Sequence, residues 1–331
     1  MPVTGSDAMD RRSAISIVVN FTLAVCHTAV NLYQFIILPL WLLPMDVRWA
    51  WTLFPRAFLN NPYWSLIHEA IHDLFHPERR VNAFFGRASS ILFGSPFQIL
   101  RLSHLLHHKL NRTPMEATDL YERGKSSRAV AAVGYYFQTL GGLYIVEFLS
   151  PLLFFLPRDL LRRFRLRFVK AGTVSAILIQ NWSQDRVIRE IRVDGLWIFA
   201  WLGLGLYCYG KYWPLLLAVV GARGFLISFL DNVYHYRTPV NDIYYACNLW
   251  LPPFSTRVLL NFNFHGIHHQ NPAIPWIRLP VVFREQSQIF HGHYLLAAMR
   301  QLRGPVATQD LPSATSHRGS ARGRISHSFQ G

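Results

Sequence analysis

The sequence predicts an all-α integral membrane protein with about four transmembrane helices and a cytoplasmic helical cap that holds a histidine-rich metal site. Hydrophobic residues make up 51% of the 331 residues and occur in long runs rather than in alternation. The chain also carries 24 Phe, 14 Tyr and 10 Trp, and Trp and Tyr are enriched where transmembrane helices meet the membrane surface. The metal site is predicted by 15 His, eight of which fall in three short clusters.

Three parts of the chain are predicted to cross the membrane as helices, because about 20 apolar residues span the hydrocarbon. The first is the apolar run 14–43. A second crossing is predicted between 47 and 67, although Arg56 makes it a poor surface for contact with lipid. The last part, 196–230, is predicted to form a hairpin of two helices that turns at Gly210.

The apolar run 129–156 is interpreted as a re-entrant or kinked hairpin. It is interrupted by two adjacent glycines, and the loop that follows it, 158–194, is rich in Arg. Basic loops favour the cytoplasmic side, which Arg11 and Arg12 also predict for the N-terminus. Both ends of 129–156 would then face the cytoplasm. The alternative, a single crossing, would place the basic loop outside.

We predict a single membrane domain over 14–303, preceded by a polar segment, 1–13, and followed by a tail, 304–331. The tail is dominated by Ser, Arg, Gly and His, so it has little to bury and is predicted to be disordered. Just before it, 286–303 is predicted to form a short amphipathic helix.

The net charge of +15 raises the question of nucleic-acid binding. A nucleic-acid-binding protein carries its basic residues on one solvated face or arm, whereas here they fall between the apolar runs, as in loops beside anionic lipid. We therefore expect no nucleic-acid partner. The three cysteines have no Cys-x-x-Cys spacing, which argues against a disulfide framework or a cysteine zinc site.

The three histidine clusters have spacings that suit metal binding. Histidines four residues apart share one face of a helix, whereas adjacent histidines point about 100° apart. Adjacent histidines can therefore flank two ions more easily than they can bind one, and eight imidazoles are too many for a single ion. The clusters predict a pair of metal ions bound by His68 and His72; His104, His107 and His108; and His265, His268 and His269.

A ninth candidate ligand, His235, follows the last predicted membrane helix. Asp231 shares its helical face and could bind metal through water or orient an imidazole. The alternative is that His235 only caps the helix. Arg223 lies inside the same helix, and an intramembrane Arg indicates either a functional site or a structural ion pair or snorkelling side chain.

The chemistry expected at a membrane surface favours iron. Imidazole suits iron, copper, nickel and zinc, and structural zinc sites usually close at four ligands. The substrate implied by this position is a lipid chain, and breaking its unactivated C–H bonds requires redox chemistry that zinc does not supply.

The chain resembles the membrane fatty acid desaturase/hydroxylase superfamily over residues 15 to 300. The signature of that superfamily is His-x3/4-His, then His-x2/3-His-His, then His/Gln-x2/3-His-His, and all three boxes occur here in order. Asn82 after the first box and the Pro272–Pro280 stretch after the third resemble the acyl-lipid desaturase branch.

The resemblance implies a mushroom-like protein with four crossings and a cytoplasmic di-iron site, in a membrane such as the bacterial inner membrane. It implies O2 as co-substrate and desaturation or hydroxylation of a lipid acyl chain. Because the chain has no His-Pro-Gly-Gly haem motif, electrons are expected from a separate protein of the ferredoxin or cytochrome b5 type. In related acyl-CoA desaturases a His from the last helix is a ligand, which His235 would match, and an Asn acts through water, for which Asp231 or Asn232 is nearest.

Other functions remain open on the sequence alone. A lipid or carotenoid hydroxylase or ketolase of the same superfamily shares the boxes. A membrane zinc protease is suggested by His68-Glu69-Ala70-Ile71-His72, with Asp194 as the available downstream ligand, and a receptor or scaffold with structural metal is a further alternative. The carboxylates that could support the histidines or be surface charges are Glu69, Asp73, Glu116 and Asp119. The histidines that fit no box and are interpreted as ordinary are His27, His76, His291, His293, His317 and His327.

Overall fold

A computed structural model describes residues 15–311 of the chain. The polar segment 1–13 and most of the predicted tail lie outside the described residues. Within them the secondary structure is predominantly helical, as predicted. The helices are α1 Ile17–Leu32, α2 Leu53–Ala57, α3 Asn60–Ile71, α4 Arg79–Phe93, α5 Phe97–Leu110, α6 Arg128–Phe137, α7 Leu143–Phe154, α8 Arg158–Phe168, α9 Val174–Trp182, α10 Asp185–Tyr209, α11 Trp213–Asp231, α12 Pro253–Val258, α13 His265–Gln270, α14 Leu279–Glu285 and α15 Tyr294–Arg300.

Two short strands complete this part of the chain. Strand β1, Leu120–Tyr121, pairs in parallel with β2, Val306–Ala307. The first residues of the predicted tail therefore pair with the loop that follows α5. The predicted helix over 286–303 is helical in its second half, because Ser287 and Gly292 have positive φ angles that interrupt the first half.

Among residues 15–311, three helical segments are long and apolar enough to cross a membrane: Ile17–Met45, Arg128–Phe154 and Asp185–Tyr234. In the first, α1 continues through a π-helical stretch, Tyr33–Leu42, into Leu43–Met45. The third contains both α10 and α11, which are joined at Gly210–Tyr212, where the sequence predicts the turn. Four crossings and a cytoplasmic cap stay predictions.

The crossing predicted over 47–67 is not among these three segments. It is divided into a 3-10 turn, Val47–Thr52, and the two helices α2 and α3. All twelve residues of α3 are buried, and a helix of that length rises only about 18 Å, against about 30 Å of hydrocarbon. Burial within the protein explains why α3 tolerates polar residues.

The interruption of 129–156 is a kink between α6 and α7. Gly141 has a φ of 133°, a conformation that favours glycine, and Leu140 also leaves the helical region. The Ser228 hydroxyl accepts a hydrogen bond from the backbone N–H of Tyr144 at 3.2 Å and so satisfies a donor next to the kink. The kinked alternative therefore fits the helix geometry, while a re-entrant course stays a prediction.

Helix α10 begins at Asp185, eleven residues before the predicted start of the hairpin. Ile188 and Ile191 are buried, so the end of the basic loop has an apolar face that packs as helix. One turn further on, the buried carboxylate of Asp194 accepts hydrogen bonds from Arg87 Nε at 3.0 Å and from the backbone N–H of Phe97 at 3.3 Å. This bond network ties α10 to α4 and α5.

Arg223 has a structural role. The residue is 2% exposed. Its guanidinium donates to Asn60 Oδ1 at 2.8 Å and to the backbone carbonyls of Leu92 and Phe93 at 3.1 and 2.5 Å. The carbonyls belong to the last turn of α4, whose C-terminal end carries negative partial charge. Among the described residues Arg223 has no carboxylate partner, so it is neither an ion pair nor a snorkelling side chain: it stabilises a buried helix end.

Candidate metal centre

Four parts of the chain bring the nine candidate histidines together. Helix α3 ends in the first box, α5 carries the second and α13 carries the third, while His235 follows the short turn Asn232–Tyr234 at the end of α11. The nine histidines form two groups. Each histidine offers one ring nitrogen as a ligand atom, and within a group these nitrogens all lie within 4.8 Å of one another. The five-histidine group is His68, His72, His104, His108 and His268, and the four-histidine group is His107, His235, His265 and His269.

The two groups separate histidines that are adjacent in sequence. His107 and His108 lie in different groups, as do His268 and His269. This is the arrangement expected from the 100° between neighbouring positions on a helix. The spacing of the boxes therefore agrees with two centres side by side.

The imidazoles converge so closely that a cation fits between them. In the four-histidine group the Nε2 atom of His269 lies 3.1 Å from that of His265 and 3.3 Å from that of His107. In the five-histidine group His108 Nε2 lies 3.0 Å from both His104 Nε2 and His268 Nε2. Several neutral imidazoles cannot all donate to one another, so converging lone pairs are best satisfied by metal.

Buried ring nitrogens without partners support the same conclusion. Both nitrogens of His68 and Nε2 of His72 are buried and make no hydrogen bond within residues 15–311. Burial, followed by repulsion from Arg101 and His107, lowers the pKa of His72 to about 3. Burial and the charges of His72 and His107 lower the pKa of His108 to about 2. These rings are therefore neutral at physiological pH, which is the form that binds metal.

Two polar side chains orient imidazoles of the four-histidine group by contacting Nδ1, whereas the Nε2 atoms of these rings converge on one another. The Nδ1 atom of His107 lies 2.5 Å from a carboxylate oxygen of Glu116, and His269 Nδ1 lies 3.3 Å from the side-chain amide of Asn111. Burial by itself lowers the pKa of His107, but the Glu116 carboxylate outweighs it and raises the pKa. Such partners hold a ring in the orientation and tautomer that metal binding needs.

The other carboxylates have different partners. Asp119 forms a buried ion pair with Arg112 at 2.5 Å, and Asp73 forms an ion pair with Arg101 at 3.0 Å. Of the four carboxylates left open by the sequence, Glu116 is thus the one that contacts a histidine of the two groups within hydrogen-bonding distance.

Replacing Glu116 with Gln is expected to weaken metal binding by the four-histidine group about 10- to 100-fold. The neutral amide removes the charge that holds His107, while the five-histidine group has no contact with this side chain. Metal titration of the purified protein, followed by elemental analysis, measures the change. Glu122→Gln is the matched control, since Glu122 pairs with Lys125 on the surface. Equal occupancy in both variants would contradict the orienting role.

Asp231 and Asn232 lie at the end of α11, next to the four-histidine group. Asn232 donates its side-chain N–H to Gln301 Oε1 at 2.9 Å. Both side chains line the same cavity as His107 and His235. A water-mediated contact with metal stays a prediction for each.

The third box depends on a residue that sequence reasoning did not single out. A Cβ atom on Gly266 would lie 2.6 Å from the backbone carbonyl of Ala246 and 2.9 Å from the side chain of Asn248. Helix α13 therefore packs directly against the chain segment around Asn248, whose Oδ1 accepts from the backbone N–H of Ile267. The glycine inside His-Gly-Ile-His-His was the available signal.

Gly266→Ala is expected to lower metal occupancy of both groups. The added methyl displaces α13, which supplies His268 to one group and His265 and His269 to the other. The affinity of the purified protein for metal, measured as metal bound per chain, is expected to fall about fivefold or more, because overpacking costs about 1–3 kcal/mol. A matched control is Gly203→Ala, where the space around the new Cβ is open; a fall of the same size there would argue against this explanation.

Asn82, singled out beside the first box, anchors the chain after it. Its Oδ1 accepts from the backbone N–H of Phe75 at 3.0 Å, and its Nδ2 donates to the carbonyl of Ala70 at 2.8 Å. These bonds hold the turn that follows His72.

The zinc protease alternative lacks its third ligand. Asp194 is engaged by Arg87 and Phe97 and belongs to neither histidine group. Glu69, the would-be general base, accepts a hydrogen bond from the backbone N–H of Trp276 at 3.2 Å. Burial raises the pKa of this carboxyl to about 8. His68 and His72 instead share their group with three imidazoles from other helices.

A cavity of about 510 Å³ reaches the four-histidine group. Its walls come from α5, from the kinked pair α6 and α7, from α9 and from the end of α11. Two of the three candidate membrane segments thus line it. Its size suits a small-molecule or lipid-chain pocket. Its wall residues on α7, which include Leu143, Val146 and Glu147, were not identified from the sequence.

The chain has no match among curated proteins or among solved structures, but it matches one protein-family model. The family model described as fatty acid desaturase matches residues 47–300, which contain all nine grouped histidines and the cavity. The protein therefore belongs to the fatty acid desaturase family.

Proposed function

We propose that the protein is an O2-dependent di-iron desaturase that introduces a double bond into the acyl chain of a lipid. The observation that carries the proposal is the pair of histidine groups at the end of a cavity lined by candidate membrane helices. Membership of the fatty acid desaturase family supports an oxidoreductase acting on lipid.

Each histidine group would hold one iron. The five-histidine group supplies imidazoles from α3, α5 and α13, and the four-histidine group adds His235. When bound, the irons supply the redox chemistry that breaking an unactivated C–H bond requires. Burial holds imidazoles such as His72 and His108 neutral, Glu116 orients His107, and the cavity walls keep the bound hydrocarbon away from bulk water.

The remaining parts of the reaction come from partners. The acyl chain enters from the membrane, and a separate electron-transfer protein of the ferredoxin or cytochrome b5 type supplies two electrons. We place the histidine groups on the cytoplasmic face of the membrane, such as the bacterial inner membrane, because the loops are rich in Arg.

Lipid analysis of cells with and without the protein tests the proposal. Cells that produce the protein are expected to contain an acyl chain with one additional double bond, and cells that produce His107→Ala are not. A new hydroxyl group, or a change in carotenoids, would assign the protein instead to a hydroxylase or ketolase reaction of the family. Elemental analysis that finds zinc rather than iron in active protein would overturn the redox mechanism.

A further inference from the structure

Glu147 is an acidic residue inside a candidate membrane segment. It lies on α7, within the span Arg128–Phe154. Leu143, Val146, Glu147 and Ser150 all line the cavity, as expected from positions i, i+3, i+4 and i+7 on one helical face. A carboxyl group at membrane depth is costly to bury and by default indicates a functional role.

Three other polar side chains of this region have partners within the protein. The hydroxyl of Ser150 donates to the backbone carbonyl of Glu147 at 2.6 Å, and the hydroxyl of Ser228 accepts from Tyr144. The intramembrane Arg223 is occupied by Asn60 and by the end of α4. Within residues 15–311 the carboxylate of Glu147 makes no hydrogen bond or ion pair, so it faces the cavity with its acceptor capacity unused.

We propose that Glu147 accepts a hydrogen bond from a donor group on the lipid substrate, a hydroxyl or an amide N–H. The inference rests on the proposed function in one respect, that the occupant of the cavity is a lipid. The hydrocarbon of that lipid contacts apolar wall residues such as Leu143 and Val146 and extends toward His107 and His235. A plain hydrocarbon chain covers the half-buried carboxyl of Glu147 without pairing it, and a site that leaves a polar group unpaired discriminates against such a ligand.

The same contact sets the position of reaction. A polar group held at Glu147 determines which carbon of the chain lies beside the histidine groups. The position of the reacting carbon is then fixed by its distance from the polar group of the substrate rather than from the methyl end of the chain.

Binding of two matched probes tests the assignment without using activity. The probes are tritiated N-propyl octadecanamide and its N-methyl derivative, which lacks the amide N–H and is otherwise the same. The purified full-length protein in detergent is expected to bind the N–H probe about fivefold or more tightly, the size of one hydrogen bond. Glu147→Leu is expected to lose this preference, and Glu147→Gln, which keeps an acceptor oxygen, to retain part of it.

Val146→Ala is the matched control, since Val146 lines the same cavity without a polar group, and it is expected to keep the preference. Equal binding of the two probes by the natural protein, no binding of either, or a preference that survives in Glu147→Leu would overturn the assignment. Lipid analysis addresses the reaction separately. An unchanged lipid profile together with a preference that depends on Glu147 would refute the desaturase proposal and leave the contact intact.

Discussion

His269→Ala is expected to lower the metal content of the purified protein from about two ions per chain to about one and to reduce product at least about 100-fold. His269 belongs to the four-histidine group, so its removal leaves three imidazoles. Its Nε2 atom lies within 3.3 Å of two other Nε2 atoms of that group. The five-histidine group keeps all of its members and is expected to retain its ion.

A comparison with His268→Ala sharpens this prediction. That substitution leaves four imidazoles in the five-histidine group, and four nitrogen ligands suffice to bind a divalent ion. We expect His268→Ala to lose less metal than His269→Ala. His293→Ala is the control, because His293 is exposed and belongs to neither group. Full metal content in both test variants would argue against two histidine-bound ions.

Arg223→Met is expected to be strongly destabilising, with a loss of about 3 kcal/mol in the free energy of unfolding. The methionine fills much of the volume but leaves Asn60 Oδ1 and the backbone carbonyl of Leu92 without the guanidinium as donor in a buried region. The backbone carbonyl of Phe93 loses one of its two donors and keeps the hydroxyl of Tyr144. Thermal unfolding in detergent, followed by size-exclusion chromatography, measures the loss.

The control for this substitution is Arg189→Met, since Arg189 is exposed on α10. Arg223→Lys keeps the positive charge but presents one nitrogen instead of a fork, so it is expected to fall between the natural protein and Arg223→Met. If Arg223→Met were as stable as Arg189→Met, the buried bond network would have no structural importance.

Both predictions concern residues that the sequence singles out, the box histidines and Arg223, although their contacts in the folded protein cannot be derived from the sequence. The spacing of His104 and His108 is enough to place them on one side of a helix, and the structure agrees. The turn at Gly210 and the break near Gly141 were likewise visible, because glycine between apolar runs marks an interruption of a helix.

Other features depended on parts of the chain that lie far apart in sequence. The partner of Asp194 is Arg87, 107 residues away, and no local pattern relates the two. The crossing predicted over 47–67 follows from its local sequence, whereas the burial of α3 comes from neighbouring helices. The same burial decided that Arg223 bonds helix carbonyls rather than a carboxylate.

The sequence by itself determined that this is a helical, membrane-type protein with three histidine boxes, because helical periodicity and apolar runs are local properties. Only the tertiary structure decided how nine histidines divide into five and four, and that Glu147 faces the cavity. The physical reason is that these features depend on the packing of α3, α5, α7, α11 and α13 against one another. Contacts of that kind are made by side chains whose distance along the chain carries no information about their distance in space.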